Sequence, residues 1–464
     1  MKYRRMKVLL VSTYDLGHQP FGLASPAAWL AERGHQVACA DLSIEALNAD
    51  RVREANLVAF HLPMHTATRL AAKVIEKVRR LNPAAHICCY GLYAPLNESY
   101  LRSIGAGTIL GGEFEAGLIS FLERLESSGS SPQTEPLVSL HRQQFLVPLR
   151  SALPPLDRYA RLQTGDGPKR AGYTEASRGC KHLCRHCPVV PVYQGKFRVV
   201  QREVVLADIR QQVTAGAEHI TFGDPDFFNG PTHAMRIVDA FHREWPAVTY
   251  DATIKIEHLL KHRELLPRLR ETGCLFVTSA VESVDDAVLA KLDKGHTRAD
   301  FIQVAQEFRS AGLTLAPTFI PFTPWTTRQS YRELLEILVE LDLVENVTPV
   351  QLALRLLIPR GSLLLELDDV QAVLGAFDEP ALLYRWRHPD PEVDALAGQA
   401  LRIAAARGSQ SGGSRREIFG YLWNLVGDRP LPEDLNRPPR AVIPHMDEPW
   451  FCCAEPTEEQ VAQV

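Results

Sequence analysis

The chain has 464 residues, 45% of them hydrophobic and 23% charged, and its 51 Lys and Arg against 55 Asp and Glu leave a net charge of −4. That length exceeds what one hydrophobic core serves and predicts two or three domains. The balanced charge gives no electrostatic reason for a nucleic-acid partner. No run approaches about 18 consecutive apolar residues, which argues against a membrane span. The basic start MKYRRMKVLLVSTYD has no small-residue cleavage site and reads as a first strand, not a signal peptide. Nine cysteines, an odd number and clustered, fit a reducing cytoplasm better than a disulfide framework.

Residues 1–126 alternate strands and helices. KVLLVS (Lys7–Ser12) is a continuous apolar run, as for a strand covered on both faces. Strands are predicted again at HQVACAD, NLVAFHLP, HICCYG and GTILGG. Between the third and fourth, Leu70, Val74, Ile75, Val78 and Leu81 share one helical face, ended by Asn82-Pro83. Five strands with crossover helices predict a doubly wound, flavodoxin-like parallel sheet with its ligand crevice beyond the strands' carboxyl ends. SSGSSPQTEP opens a linker over 127–170. From 171 to 358 six βα units are predicted, with strands at YTEAS, HITFGD, TYDATI, CLFVTSAV, LTLAPTFI and PVQLALRLL. Six units point to a partial (βα)6 barrel with its chemistry at the strands' C-terminal ends. Residues 359–464 read as a helical extension closed by a Pro-rich tail.

"SRGCKHLCRHCP" follows the first of the barrel strands and sets Cys180, Cys184 and Cys187 at C-x3-C-x2-C. Three adjacent thiolates with no fourth can hold three irons of a cubane and leave one iron open to a chelating ligand. Structural zinc, with His182 or His186 as fourth ligand, is the alternative. An aromatic pocket at Tyr193, Phe319, Phe322 and Trp325 is a further expectation, with ordinary packing as its rival.

C-x3-C-x2-C at this place in a partial barrel resembles the radical S-adenosylmethionine (SAM) superfamily. The resemblance implies a [4Fe–4S] cluster on the three cysteines and SAM chelated by the open iron, with reductive cleavage of a sulfonium C–S bond. It implies cofactor contacts for His186, for Asp224 in Phe222-Gly223-Asp224-Pro225-Asp226, for Glu282 in Val281-Glu282-Ser283 and for Arg355, with Asp226 and Phe227 on the substrate side. Glu282-Ser283 followed by LDKGHT, and LGGEFEAG near residue 113, are similar to the branch carrying an N-terminal cobalamin-binding domain. The D-x-H-x-x-G motif of that domain is replaced by Asp15-Leu16-Gly17-His18, so cobalamin is an open expectation, as base-off cofactor or as a degenerate scaffold.

The tail EPWFCCAEP resembles a group of radical SAM proteins ending in CCAEP, with selenocysteine for the first cysteine in some members. That implies a redox, nucleophilic or soft-metal role for Cys452 and Cys453. Two reactions follow: radical chemistry on a small molecule (methylation, rearrangement or sulfur insertion), or transfer of a 3-amino-3-carboxypropyl group to a thiophilic acceptor such as arsenite. An electron donor such as flavodoxin or ferredoxin is implied as partner. A non-catalytic metal-binding or sensor protein is the rival from another class.

Overall fold

The computed structural model describes residues 5–126, 135–408, 414–427, 429–436, 442–448 and 454–463. The front domain runs β1 (Lys7–Ser12), α1 (Phe21–Glu32), β2 (Gln36–Asp41), α2 (Ala49–Glu54), β3 (Leu57–His61), α3 (His65–Leu81), β4 (His86–Tyr90), α4 (Tyr93–Leu96), α5 (Glu98–Ser103), β5 (Thr108–Gly112) and α6 (Phe114–Glu126). Its strands are ordered 2-1-3-4-5 and all pair in parallel. The apolar run of β1 is explained by its two covers. Leu9 and Val11 enter one core, with Val74 and Ile75 of α3, while Val8 and Leu10 enter the other, with Leu23 and Leu30 of α1. Each such side chain, once buried, contributes about 1.5–3 kcal/mol.

The expected linker completes both sheets. β6 (Val138–Ser139) extends the front sheet beside β5, and β7 (Arg161–Gln163) joins the second sheet antiparallel. That sheet continues with β8 (Lys169–Thr174). A small ribbon, β9 (Ser177–Gly179), α7 (Val189–Tyr193) and β10 (Phe197–Val199), then carries the cysteine loop. Next come α8 (Arg202–Thr214), β11 (His219–Phe222), α9 (Pro231–Glu244), β12 (Thr249–Thr253), α10 (Ile256–Lys261), α11 (Leu266–Glu271), β13 (Cys274–Glu282), α12 (Asp286–Leu292), α13 (Arg298–Ala311), β14 (Thr314–Phe319) and α14 (Arg328–Glu340). β8, β11, β12, β13 and β14 form the parallel part.

Alternation along these strands separates two faces. Ile220, Phe222, Tyr250, Val277 and Leu315 pack outward against Val238, Phe241, Phe301 and Leu334 of the helices. Tyr173, Thr221, Asp251, Thr278 and Thr318 lie on the inner face, with His219 and Phe276 stacked among them. The sixth barrel strand is not built as expected. Pro349–Leu352 is a 3-10 turn, and only Phe322 and Arg355 form a parallel bridge. Phe319 N–H donates to the side chain of Gln351, 3.1 Å, in place of a sixth strand's carbonyl.

The extension holds α15 (Asp368–Gln371), an antiparallel pair β15 (Leu374–Asp378) and β16 (Leu383–Trp386), α16 (Pro391–Gly408) and α17 (Arg415–Val426). β17 (His445–Met446) pairs antiparallel with β7, and α18 (Glu458–Gln463) follows. No described helix is long and apolar enough to cross a membrane.

Candidate active site

The cysteine loop leaves β9 through Gly179, whose φ of +76° is open to glycine; a Cβ there would stand 2.3 Å from Tyr193 and 2.5 Å from Lys196 O. Asn229 pins the loop, accepting from Lys181 N–H at 3.2 Å and donating to Gly179 O at 3.3 Å. Cys184 is buried and Cys180 and Cys187 half-buried, with Cys187 N–H donating to Cys184 O. Burial pushes the thiols of Cys180 and Cys187 up, Cys187 to about 12. A metal must therefore displace their protons. Two cations favour that: Lys255 Nζ lies 3.7 Å from Cys184 Sγ, and the fields of Cys184 and Cys187 reach Lys294.

Beside the thiols stands a second group. Glu282 ends β13 with φ +68°, after a bulge in its pairing with β14, and receives His186 Nε2 at 3.1 Å and Lys294 Nζ at 3.4 Å. Burial alone would raise this carboxyl; Lys294 and His186 outweigh it and hold it at about 2. His186 Nδ1 is buried and has no hydrogen-bond partner among the described residues. Three thiols without a fourth, flanked by two ammonium groups and an imidazole with an unused nitrogen, fit a cubane and an amino-acid chelate. Of the two histidines weighed for structural zinc, His182 contacts His258 and His186 contacts Glu282.

The remaining sequence candidates divide. Asp224 is buried, and its oxygens accept the N–H groups of Ala176 and Ser177 at 2.8–3.1 Å, so it anchors the backbone entering β9. Asp226 caps the turn at Phe228 N–H and faces His258, and Phe227 packs on Phe222 in the core; neither lines the lumen as expected. Arg355 turns to the extension. It donates to Asp394 at 2.6 Å and Trp386 O at 2.8 Å, with its guanidinium 3.6 Å above the Trp386 ring. Phe319 and Phe322 are core residues, Trp325 bonds Asp369 and Tyr193 bonds Glu113, so the aromatic pocket is not formed. Cys452 and Cys453 lie outside the described residues.

Sequence reasoning missed Lys255, Lys294, Asn229 and Arg178. Lys294 stands in the quoted LDKGHT, and Arg178 two residues before the first cysteine. Arg178 joins the domains: Glu115 lies at 2.7 Å, Glu113 at 3.6 Å and Glu175 at 2.7 Å, and the rings of Phe114 and Phe145 are each 5.1 Å away. The LGGEFEAG motif thus holds the cluster loop against the front sheet.

The crevice of the front sheet faces the barrel. His18 leaves the loop after β1 and packs tilted against the Tyr173 ring, centroids 4.8 Å apart; burial pushes it down to about 4. His61 is buried behind Gly22 and Tyr90, and His65 pairs with Glu455 at 3.3 Å. The tail crosses the carboxyl ends of β1 and β3: Tyr14 bonds Glu448 at 3.1 Å, Thr66 bonds Ala454 O at 2.8 Å, and Arg69 bonds Glu455. A cavity of about 250 Å³ remains there, lined by Thr13, Ser43, Tyr159, Glu448 and Gln460.

A doubly wound front sheet facing a partial barrel with a three-cysteine loop defines an iron–sulfur enzyme class. Residues 174–338 match the family model described as the radical SAM superfamily. The hopanoid C-3 methylase of Methylococcus capsulatus is 25% identical over 354 residues, 73% of this chain and 68% of that protein. A tRNA-2-methylthio-N(6)-dimethylallyladenosine synthase of Anaplasma phagocytophilum is 23% identical over 36% of this chain, which spans only 40% of that relative. Among solved structures, the cobalamin-dependent radical enzyme OxsB with aqua-cobalamin and SAM matches with a TM-score of 0.70 at 12% identity, over 91% of this chain and 71% of that one. The methyltransferase TsrM of Kitasatospora setae, with tryptophan and a SAM analogue, matches at 0.67 and 15%, over 89% and 92%. Residues 174–338 match a radical SAM domain, and the fold, with a doubly wound domain ahead of the barrel, is that of the cobalamin-dependent radical SAM structures. The protein is an enzyme of [4Fe–4S] and SAM chemistry.

Proposed function

We propose that the protein is a radical SAM methyltransferase acting on a small molecule. The observation that carries this reading is likeness to the hopanoid C-3 methylase along 73% of the chain, well beyond the superfamily match at 174–338. When bound, the cluster would supply the electron that cleaves SAM, and a corrinoid would carry the methyl group. Cys180, Cys184 and Cys187 hold the cluster, and Lys255 and Lys294 offset its negative charge. Glu282, ionised near neutrality, orients His186 and accepts a donor of the cofactor's amino or ribose group. Asp224, Asn229 and Arg178 fix the loop, and the Thr-lined lumen admits a substrate while the front domain closes its mouth. An electron donor such as flavodoxin or ferredoxin completes the system.

The anchors on either side of Cys452 and Cys453 favour a second reading. Glu448 and Ala454 are both held at the crevice between the domains, and Ala454 also packs on Val350 and Leu354. Thiols tethered there would present a soft acceptor such as arsenite to the 3-amino-3-carboxypropyl group of SAM. Reconstituted protein given SAM labelled in its methyl group, with cobalamin and reductant, separates the two. Label in a product or on cobalamin supports methyl transfer. Labelled methylthioadenosine, dependent on Cys452 and Cys453 and indifferent to cobalamin, overturns it in favour of the second.

A further inference from the structure

A second set of ligating side chains lies behind the cysteine loop and has no part in the reaction above. His182 comes from the loop, Asp226 from the turn after β11 and His258 from α10, and one ligand atom of each lies within 4.8 Å of the others. The Nε2 atoms of the two imidazoles are 3.1 Å apart. Asp226 Oδ2 lies 2.6 Å from His258 Nδ1 and 3.8 Å from His182 Nε2. The side chains of Asp226 and His258 are 0% and 2% exposed.

Despite that approach, Asp226 Oδ2 and His258 Nδ1 are both buried without a hydrogen bond among the described residues, because the contact is short but out of line. A buried polar atom left so is costly, and a shared cation removes the cost at both atoms. We propose that His182, Asp226 and His258 bind one divalent transition-metal ion, separate from the cluster on the cysteines.

Two imidazoles and one carboxylate form a nitrogen–oxygen donor set, suited to Zn²⁺ or Fe²⁺ and unlike the thiolate set beside it. Three protein ligands leave a coordination position open. Glu257 Oε2 lies 3.5 Å from His182 Nδ1, where an outer carboxylate orients a ligating ring. Its side chain is 41% exposed, so the open side meets solvent and not the lumen core. A ring-to-ring hydrogen bond between the histidines is the competing account, and it holds no metal.

The test uses the full chain with Cys180, Cys184, Cys187, Cys452 and Cys453 all changed to Ser, which removes the thiolate sites. Zn²⁺ is added, excess is dialysed away, and bound zinc is counted with circular dichroism as the fold check. The site predicts about one zinc per chain, with at least a tenfold loss of affinity on adding His258→Ala or Asp226→Asn. Should those buried changes unfold the chain, His182→Ala, on the loop, gives the same comparison. Zinc absent from the five-Ser protein, or retained equally with and without His182→Ala, overturns the proposal. Because that protein carries no cluster, the outcome is independent of which group SAM transfers.

Discussion

Arg178 is one cation among three carboxylates, and the cost of the surplus negative charge falls on Glu113. Burial, only partly offset by Arg178 and reinforced by Glu115, raises Glu113 to about 7. A carboxyl raised on folding binds its proton more tightly in the folded chain. Its contribution is complete below the ordinary carboxylate range and is lost as pH rises through about 7. Glu113→Gln, which keeps the acceptor for Tyr193, should therefore gain on the natural chain as pH rises, by on the order of 1–3 kcal/mol between pH 5.5 and 8.5. Urea midpoints at the two pH values measure this, and parallel shifts of both proteins would contradict it. Arg178→Met leaves three buried carboxylates without their cation and should destabilise by about 3–5 kcal/mol, read as an early loss of the front domain in thermal unfolding. At this scale the sequence was legible where spacing alone carries the chemistry, as in Cys180, Cys184 and Cys187. Arg355 and Asp224 were not, because their partners arrive from elsewhere: Asp394 from the extension and the backbone N–H groups of residues 176–177.

The ribbon of β9 and β10 turns that spacing into a site. Gly179→Ala adds a Cβ in a left-handed backbone position that Tyr193 and Lys196 already fill, at about 1–3 kcal/mol. Because the strain falls next to Cys180, the expected outcome is loss of iron on gel filtration while global melting changes little. Full iron retention would show that the turn relaxes without moving the thiol. The strands of both domains were legible from apolar runs and from alternation between a core face and a lumen face. The sixth barrel strand was not. PVQLALRLL is apolar enough for a strand, but Pro349 begins a 3-10 turn and the Gln351 side chain takes the N–H that a strand carbonyl would have accepted.

Across the whole molecule, both sheets meet at their carboxyl ends and the tail is threaded between them. Glu455 is its clasp: His65 and Arg69 hold the carboxyl below the usual range although burial would raise it. Glu455→Ala should speed amide exchange over 454–463 by about tenfold or more, roughly 1.4 kcal/mol, and leave β1 unchanged. Exchange unaltered in the tail would show that Thr66 and Ala454 hold it unaided. None of this docking could be read from the sequence, where the segment is short, Pro-rich and without period.

The cluster itself gives the most direct measurement. The full chain, reconstituted anaerobically with iron and sulfide, should hold about four irons per chain, and addition of SAM should change the electron paramagnetic resonance spectrum of the reduced cluster. Cys184→Ala should lose both the iron and the response. Stoichiometric zinc in place of iron, or a cluster whose spectrum SAM leaves unchanged, would contradict an open iron at Cys180, Cys184 and Cys187.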